Sequence, residues 1–558
     1  MAESANIARH LPLMAASQPG FPAVKIPRGR TGSSRIDYLT LSFVELDTEV
    51  NAWVDRLRKK GVKHGDRVLV LVRQGLPLIA AAFALFKLGA VPVIIDPGMG
   101  RKNFLGCVAR SRPRVLLGIP SAQILSHVFR RAFARVEIRC WVSASPTARV
   151  FSPTDPTPSI PPPVASAARD LAAILFTSGS TGAPKGVCYE HGMFEAQVRL
   201  VRDTYGIKPG EVDLPMLPIF ALFNPALGLT TVVPELDPSR PATVDPAKIV
   251  QAIQQEGVTN SFGSPTLWRK IFDHCLARQI QLPTLRRVLC AGAAVPASLW
   301  SDAALVLPNG KLHSPYGATE VLPVATTASD EVESRPEWGS LIGRPLADNR
   351  VKIIALHDGS IASLAEAREL AQGENGEIIV SGPTVTKTYD ELPEATARAK
   401  IPNFESSVSR ARSLPRTESG PWHRMGDAGR IDASGRLWFC GRIAERLETA
   451  AGTQHTEPAE QVFRTHPQVV RCALIGLGPR GLQKPAIVVQ PSPGVKDHRR
   501  LARELRDLAL EHPHTAGITK YFFHPAFPVD VRHNAKIHRL TLTKWAATAT
   551  MFEPDKSP

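Results

Sequence analysis

The amino-acid sequence predicts an α/β protein, doubly wound over most of its length and ending in a smaller α+β unit. Three observations carry that expectation. Hydrophobic residues make up 43% of the chain and charged residues 21%, the balance of a globular protein rather than a disordered one. Short apolar runs alternate with helical patterns almost throughout, an order that folds into a buried, largely parallel sheet with helices packed on it. At 558 residues the chain exceeds what one ordinary core organises, so at least two domains are expected.

The elements follow in order. Ser42 and Glu45 form a capping box, and Phe43, Leu46, Val50, Trp53, Val54 and Leu57 recur at helical spacing until Gly61 ends the segment. Residues 67–72 (RVLVLV), 91–95 (VPVII) and 114–118 (RVLLG) are short apolar runs that read as buried strands. The most apolar stretch, 76–86, is interrupted by Lys87 well before it could span a bilayer, and reads as a buried helix. Six of the eleven residues in 153–163 are proline, so this segment is expected as an extended surface linker between two subdomains. Residues 397–420, rich in Ser and Arg, read as a long exposed loop or disordered insertion. After Gly441 the pattern restarts with a helix near 458–466, strands at 469–475 and 486–490, a helix at 501–510 and a strand at 521–524. The chain therefore divides into 1–441 and 442–558.

The net charge of +16 suits phosphate, anionic lipid headgroups or an acidic partner alike. Zinc-finger spacing and aromatic-basic RNA signatures are both missing, which disfavours nucleic acid. The seven cysteines (Cys107, Cys140, Cys188, Cys275, Cys290, Cys440 and Cys472) are odd in number, scattered and never in a C-x-x-C pair. That argues against a disulfide framework or structural zinc and for a reducing cytoplasm. Residues 1–27 lack the long apolar core of a signal peptide.

The chemistry begins at 171–186. An apolar run ending in Phe176 leads into Thr177, Ser178, Gly179, Ser180, Thr181 and Gly182, followed by Ala183, Pro184, Lys185 and Gly186. Such a loop can wrap phosphate oxygens with backbone N–H groups and hydroxyls while Lys185 adds positive charge. Gly186 stands where a P-loop NTPase requires Ser or Thr to hold Mg²⁺, which disfavours that class. A plain flexible linker seldom follows a buried strand or carries a lysine between Pro and Gly.

At this loop the chain resembles the adenylate-forming superfamily of acyl-CoA synthetases, luciferases and non-ribosomal adenylation domains. The resemblance recurs in order along nearly the whole chain: residues 40–68, the YGATE run at 316–320, GEIIVSG at 376–382, Met425-Gly426-Asp427, and Gly441-Arg442. It implies ATP and Mg²⁺ as cofactors, a small β-barrel part within the large N-terminal domain, and a mobile C-terminal lid. By the family pattern Tyr316 stacks on adenine, Gly317 and Arg442 belong to the nucleotide-binding set, and Thr319 touches the α-phosphate. Glu320 can present a carboxylate to a Mg²⁺ ion that shares its ligands with ATP phosphates. Asp427 can accept hydrogen bonds from both ribose hydroxyls. Singly, either acid would read as a solvated surface carboxylate; the flanking motifs change that reading.

The superfamily also carries a lysine near its end in P-K-T-x-x-G-K-I-x-R. Residues 528–539 (PVDVRHNAKIHR) fit with Ala535 in place of Gly, which assigns Lys536 to stabilise charge developing during adenylation. One departure lies at the hinge: the acidic residue usual two positions after the arginine of the G-R block is Ala444 here, with Glu445 next.

Residues 217–229 (LPIFALFNPALGL) and 233–241 (VPELDPSRP) resemble the β-lactone synthetases of bacterial long-chain olefin biosynthesis. That resemblance implies a lipid-like 2-alkyl-3-hydroxyalkanoic acid as substrate, a β-lactone as product, and a complex with companion olefin-biosynthesis enzymes. A long-chain fatty acyl-CoA synthetase or acyl-AMP ligase shares the first half-reaction and stays open, as does a non-catalytic nucleotide-binding relative. His191, just after the phosphate loop, is a candidate base for the 3-hydroxyl, though an isolated histidine is more often structural.

Overall fold

The helix Phe43–Lys59 shows how local sequence sets the architecture. The Ser42 hydroxyl accepts from the Glu45 backbone N–H at 3.3 Å while Glu45 returns a bond to the Ser42 N–H at 2.8 Å, closing the capping box. Its apolar stripe, Phe43 to Leu57, is fully buried against the neighbouring helix Leu76–Leu88. The latter is buried nearly all round, as the sequence expects, because it lies between the sheet and the outer helix. The computed structural model describes residues 4–152, 154, 162–177, 183–217, 221–238, 240–403, 420–529 and 537–554. Most of the proline-rich stretch at 153–163 falls outside them.

Two large sheets organise the first 440 residues. One has the strand order Ile138–Trp141, Val115–Gly118, Arg67–Leu71, Val91–Ile95, Leu171–Thr177, Lys185–Glu190, parallel except for the last strand. Alternate residues of its strands enter two different cores, Val68 and Val70 on one face and Leu69 and Val93 on the other. That two-sided burial is why these segments read as continuous apolar runs. In the other sheet the strands Lys311–Ala318, Arg287–Cys290, Asn260–Gly263, Val212–Pro215, Thr230–Val232 and Pro22–Arg30 run parallel. Beyond Lys311–Ala318 the same sheet continues antiparallel through Val321–Ala328, Gly339–Pro345, Leu437–Arg442, Trp422–Ile431, Gly376–Ser381 and Arg350–Ile354. This curved run stands where a small barrel part is expected.

The segment expected to be a loop from 397 is ordered at its start. Pro393–Ala399 is a helix with proline in its first turn, and Lys400–Ile401 pairs with His423 and Trp422. Ile401 and Trp422 share one small core, which fixes the strand although the pair is too short for any periodicity to show. Residues 404–419 lie outside the described residues.

The C-terminal segment forms a three-stranded sheet, Val469–Leu477, Lys484–Pro491 and Lys520–Phe523. The helices Thr456–Arg464, His498–Leu510 and Arg539–Ala546 pack around it in two apolar clusters. A fully buried carboxylate anchors it. Glu460 accepts from Arg464 at 2.9 Å, from Arg539 at 2.6 and 2.8 Å, and from the Leu474 backbone N–H at 2.9 Å. Arg539 also binds Glu445 at 2.8 Å, so the acidic residue beside Ala444 is tied to the last helix. No helix among the described residues is long and apolar enough to cross a membrane.

Glu460→Ala removes the acceptor that Arg539, Arg464 and the Leu474 N–H share; Arg464 keeps Glu457 and Arg539 keeps Glu445, so the main loss is the buried N–H left unpaired, about 1–3 kcal/mol. Denaturant unfolding followed by tryptophan fluorescence should show an earlier transition for this variant; an unchanged midpoint would mean that the cluster contributes nothing to stability.

Candidate active site

The two sheets bring the family-type motifs together around a cavity of about 2780 Å³. Lys185, Tyr316, Gly317, Thr319, Glu320 and Arg442 all line it, and each sits at a strand end or on a strand that the apolar pattern builds.

The first cluster is centred on Asp427. Its strand, Trp422–Ile431, runs antiparallel to Leu437–Arg442 with Asp427 directly opposite Arg442. The Arg442 guanidinium lies 2.8 Å from Asp427 Oδ1, and the Tyr316 hydroxyl donates to Oδ2 at 2.6 Å. Asp427 is only 3% exposed. Burial pushes its carboxyl pKa up, against the opposing effect of Arg442 and Tyr316. The Tyr316 hydroxyl rises well above the usual phenol range through burial and the adjacent carboxylate. Asp427 Oδ1, buried like the rest of the side chain, carries the Arg442 ion pair without a well-aligned hydrogen bond among the described residues. Gly317 is required beside it: the strand bulges there, and a Cβ would approach the Val321 carbonyl oxygen to 2.8 Å.

The second cluster surrounds Glu320. The Tyr389 hydroxyl donates to Glu320 Oε1 at 2.6 Å, and the Thr386 backbone N–H and hydroxyl hold the Glu320 carbonyl at 2.9 and 3.0 Å. Lys185 Nζ lies 4.8 Å from the centre of the Tyr389 ring, within cation–π range. The Thr319 carbonyl accepts from the Tyr189 hydroxyl at 2.5 Å. Behind these, the buried Lys400 ammonium donates to the Thr386 hydroxyl at 3.2 Å. Burial lowers its pKa to about 7, with the Glu320 charge acting in the opposite direction. His423, four residues before Asp427 on the same strand, is held well below the ordinary imidazole range by burial and by Lys400.

Tyr389, Thr386, Tyr189 and Lys400 are the site residues that sequence reasoning missed. Tyr389 is reached because residues 386–390 lie along the strand Lys185–Glu190, with the Asp390 N–H on the Gly186 carbonyl at 2.7 Å and a bridge from Tyr389 to Val187. The only signal for that pairing is the apolar alternation of the strand itself, which does not name its partner.

The remaining expected residues divide. Thr177 ends the strand Leu171–Thr177, while Ser178, Gly179, Ser180, Thr181, Gly182 and Lys536 lie outside the described residues. The ends of the lysine-bearing segment meet: Val529 bridges Ile537, and the His538 N–H donates to the Pro528 carbonyl at 2.9 Å. His191 starts the helix His191–Tyr205, buried edge-on behind Phe86 and not itself lining the cavity, and burial lowers its pKa to about 4. It is a core histidine.

The donor set suits a nucleotide better than a metal held by protein alone. Among the described residues no group of three or more His, Cys, Asp or Glu side chains comes together, so Glu320 offers one carboxylate to an ion that would need substrate oxygens to complete its shell. Asp427 centres the other cluster, between Arg442 and Tyr316.

Comparison with known proteins agrees with this geometry. The model of the AMP-binding enzyme family matches residues 14–390. The olefin beta-lactone synthetase of Xanthomonas campestris pv. campestris is 43% identical over 557 residues, spanning 97% of each chain, and that of Stenotrophomonas maltophilia is 42% identical over 556 residues, spanning 97% of this chain and 98% of the relative. Among solved structures, ATP-bound MatB from Rhodopseudomonas palustris superposes with a TM-score of 0.77 at 19% identity, covering 98% of this chain and 99% of that one. The amide bond synthetase McbA from Marinactinospora thermotolerans gives 0.75 at 22% identity, covering 97% and 100%. The chain belongs to the AMP-binding, adenylate-forming enzyme family.

Proposed function

We propose that this protein activates a 2-alkyl-3-hydroxyalkanoic acid with ATP as its acyl-adenylate and then closes it to a β-lactone, releasing pyrophosphate and AMP. The observation that carries this reading is a cavity bordered by Glu320 and by Tyr316 and Arg442, the partners of Asp427, with apolar walls beyond them that include Phe194, Leu222, Phe223, Leu227, Leu229 and Leu289. Those walls suit long alkyl chains, and the relatives that match nearly end to end are named olefin beta-lactone synthetases.

In this reading Asp427 accepts the ribose hydroxyls while Tyr316 and Arg442 hold the carboxylate rigid from two sides. Lys185 and the loop 177–182 face the phosphates, and Thr319 touches the α-phosphate. A Mg²⁺ ion at Glu320 would neutralise phosphate charge as pyrophosphate departs. Tyr389 fixes the Glu320 carboxylate by donating to one oxygen, which leaves the other for that duty. Lys536 comes from a C-terminal domain, 442–558, that acts as a lid on 1–441, and it stabilises the charge at the α-phosphorus.

Ring closure follows from the substrate's own structure. The 3-hydroxyl attacks the adenylate carbonyl, its proton leaves to solvent or a base, and the carbonyl–AMP bond breaks. Holding both groups in one molecule recovers up to about 7–11 kcal/mol of association entropy, part of which is lost to the strain of a four-membered ring. The mixed anhydride supplies the good leaving group that closure needs. We further propose that the enzyme works in the cytoplasm and associates with the companion enzymes that supply and consume these water-insoluble compounds.

Lys536→Ala should leave ATP binding in place while slowing pyrophosphate release by the equivalent of about 2.7–4 kcal/mol, the usual effect of losing one preorganised donor; release at the wild-type rate would remove Lys536 from the mechanism. The decisive product test compares a 3-hydroxy acid with a matched acid lacking the hydroxyl, each with and without coenzyme A, by AMP release and product mass. The hydroxy acid should yield AMP and a lactone without coenzyme A. Turnover of both acids only when coenzyme A is added, with a thioester as product, would replace this reading with an acyl-CoA synthetase.

A further inference from the structure

The apolar part of the cavity does not end in apolar residues. Asp213, on the strand Val212–Pro215, lines it with its side chain only 8% exposed. The Asn224 amide donates to Asp213 Oδ2 at 2.9 Å and spends its other proton on the Thr231 hydroxyl at 2.8 Å. Nearby Asn260 and Arg287 are occupied by Glu211, at 2.8 and 2.7 Å. Asp213 lines the cavity, and its Oδ1 receives no donor from the described residues. Burial raises the carboxyl pKa to about 7 against the pull of the Asn224 hydrogen bond.

Strand register locates this group relative to the reacting centre. Asp213 is level with Asn260, Arg287 and Lys311 across the parallel strands. Tyr316 lies five residues further along the last of these, so Asp213 sits roughly 16 Å toward the strands' N-terminal ends at about 3.3 Å per residue, and three strands to the side. A 3-hydroxyl next to the carboxylate cannot reach it; the far end of an alkyl chain can. Tyr205, Ile207, Leu217, Leu227 and Leu229 line the same cavity.

We propose that Asp213 is a polar stop at the far end of the acyl cavity and sets the longest chain that the enzyme accepts. This rests on the reading that the cavity holds the acyl part of the substrate. A methyl end that arrives at Oδ1 displaces water from a buried carboxyl oxygen and offers no hydrogen bond in return, which is unfavourable. A chain that stops short leaves that water in place, and one ending in a hydroxyl replaces it.

The test is ATP–pyrophosphate exchange with 2-alkyl-3-hydroxy acids in which each chain in turn is lengthened stepwise. The unsubstituted protein should show, for one of the two chains, a drop of at least tenfold between consecutive lengths, and a terminal hydroxyl on the first rejected acid should recover most of it. In Asp213→Leu, which keeps the side-chain shape, the ratio of exchange rates across that step should rise at least tenfold, whereas Asp213→Asn should keep it low. A step left in place by Asp213→Leu would overturn the assignment. Should that variant not fold, a hydroxyl-ended acid exchanging no better than its methyl-ended counterpart in the unsubstituted protein would overturn it equally. Exchange reports adenylation alone, so failure of lactone closure would leave this length profile intact and separates the two readings.

Discussion

A buried carboxylate at the junction of two strands is the constraint on which the rest of the site depends. Asp427 is held where Trp422–Ile431 and Leu437–Arg442 pair, with Arg442 across the ladder and Tyr316 reaching over from Lys311–Ala318. Burying an acid is unfavourable unless cations and donors surround it. Both are present here, with Arg442 at one oxygen and Tyr316 at the other. The antiparallel extension of the second sheet thus does more than enlarge the fold: it brings residues more than a hundred positions apart onto one carboxylate. The Glu320 cluster is built on the same strategy, with Tyr389 and Thr386 arriving on a segment that borders the first sheet.

Much of this was legible in the sequence, and the reasons are physical. The helix Phe43–Lys59 announces itself through a cap and a 3.6-residue apolar period, and the strands of the first sheet through short runs that two-sided burial keeps apolar. Tyr316, Gly317, Glu320, Asp427 and Arg442 stand in compact motifs, and the fold sets four of them around one cavity with Asp427 held behind Tyr316 and Arg442. The residues that sequence missed act through long-range contacts. Tyr389 and Lys400 lie in pieces two to five residues long whose partners are hundreds of residues away or in another strand, and no periodicity marks them. Lys400 fell inside a stretch whose Ser and Arg content suggested an exposed loop, while its own neighbours, Ile401 and Trp422, are core.

The same distinction separates chemistry from specificity. In the proposed function the polar clusters act on groups that every adenylate-forming substrate shares, the carboxylate and the nucleotide. Which acid enters depends on the walls, where leucines and phenylalanines carry little information in sequence but a definite shape in space. Asp213 is a carboxyl among them, at a level of the sheet where Asn260 and Arg287 also line the cavity but are occupied by Glu211. In the C-terminal segment, Glu445 on Arg539, with Arg539 on Glu460, links the residues after Arg442 to the helix that follows Lys536. An ion pair there occupies the neighbourhood in which the family places its acidic hinge residue.

The central claim is that the Asp427 cluster is the nucleotide site. The most direct measurement is the affinity of Asp427→Asn for AMP by titration calorimetry, alongside the unsubstituted protein and with near-ultraviolet circular dichroism as the control for folding. The account predicts binding weaker by at least tenfold, about 1.4 kcal/mol, because the amide cannot accept both ribose hydroxyls and leaves Arg442 without its counter-charge. An affinity equal to that of the unsubstituted protein, with the spectrum unchanged, would contradict it.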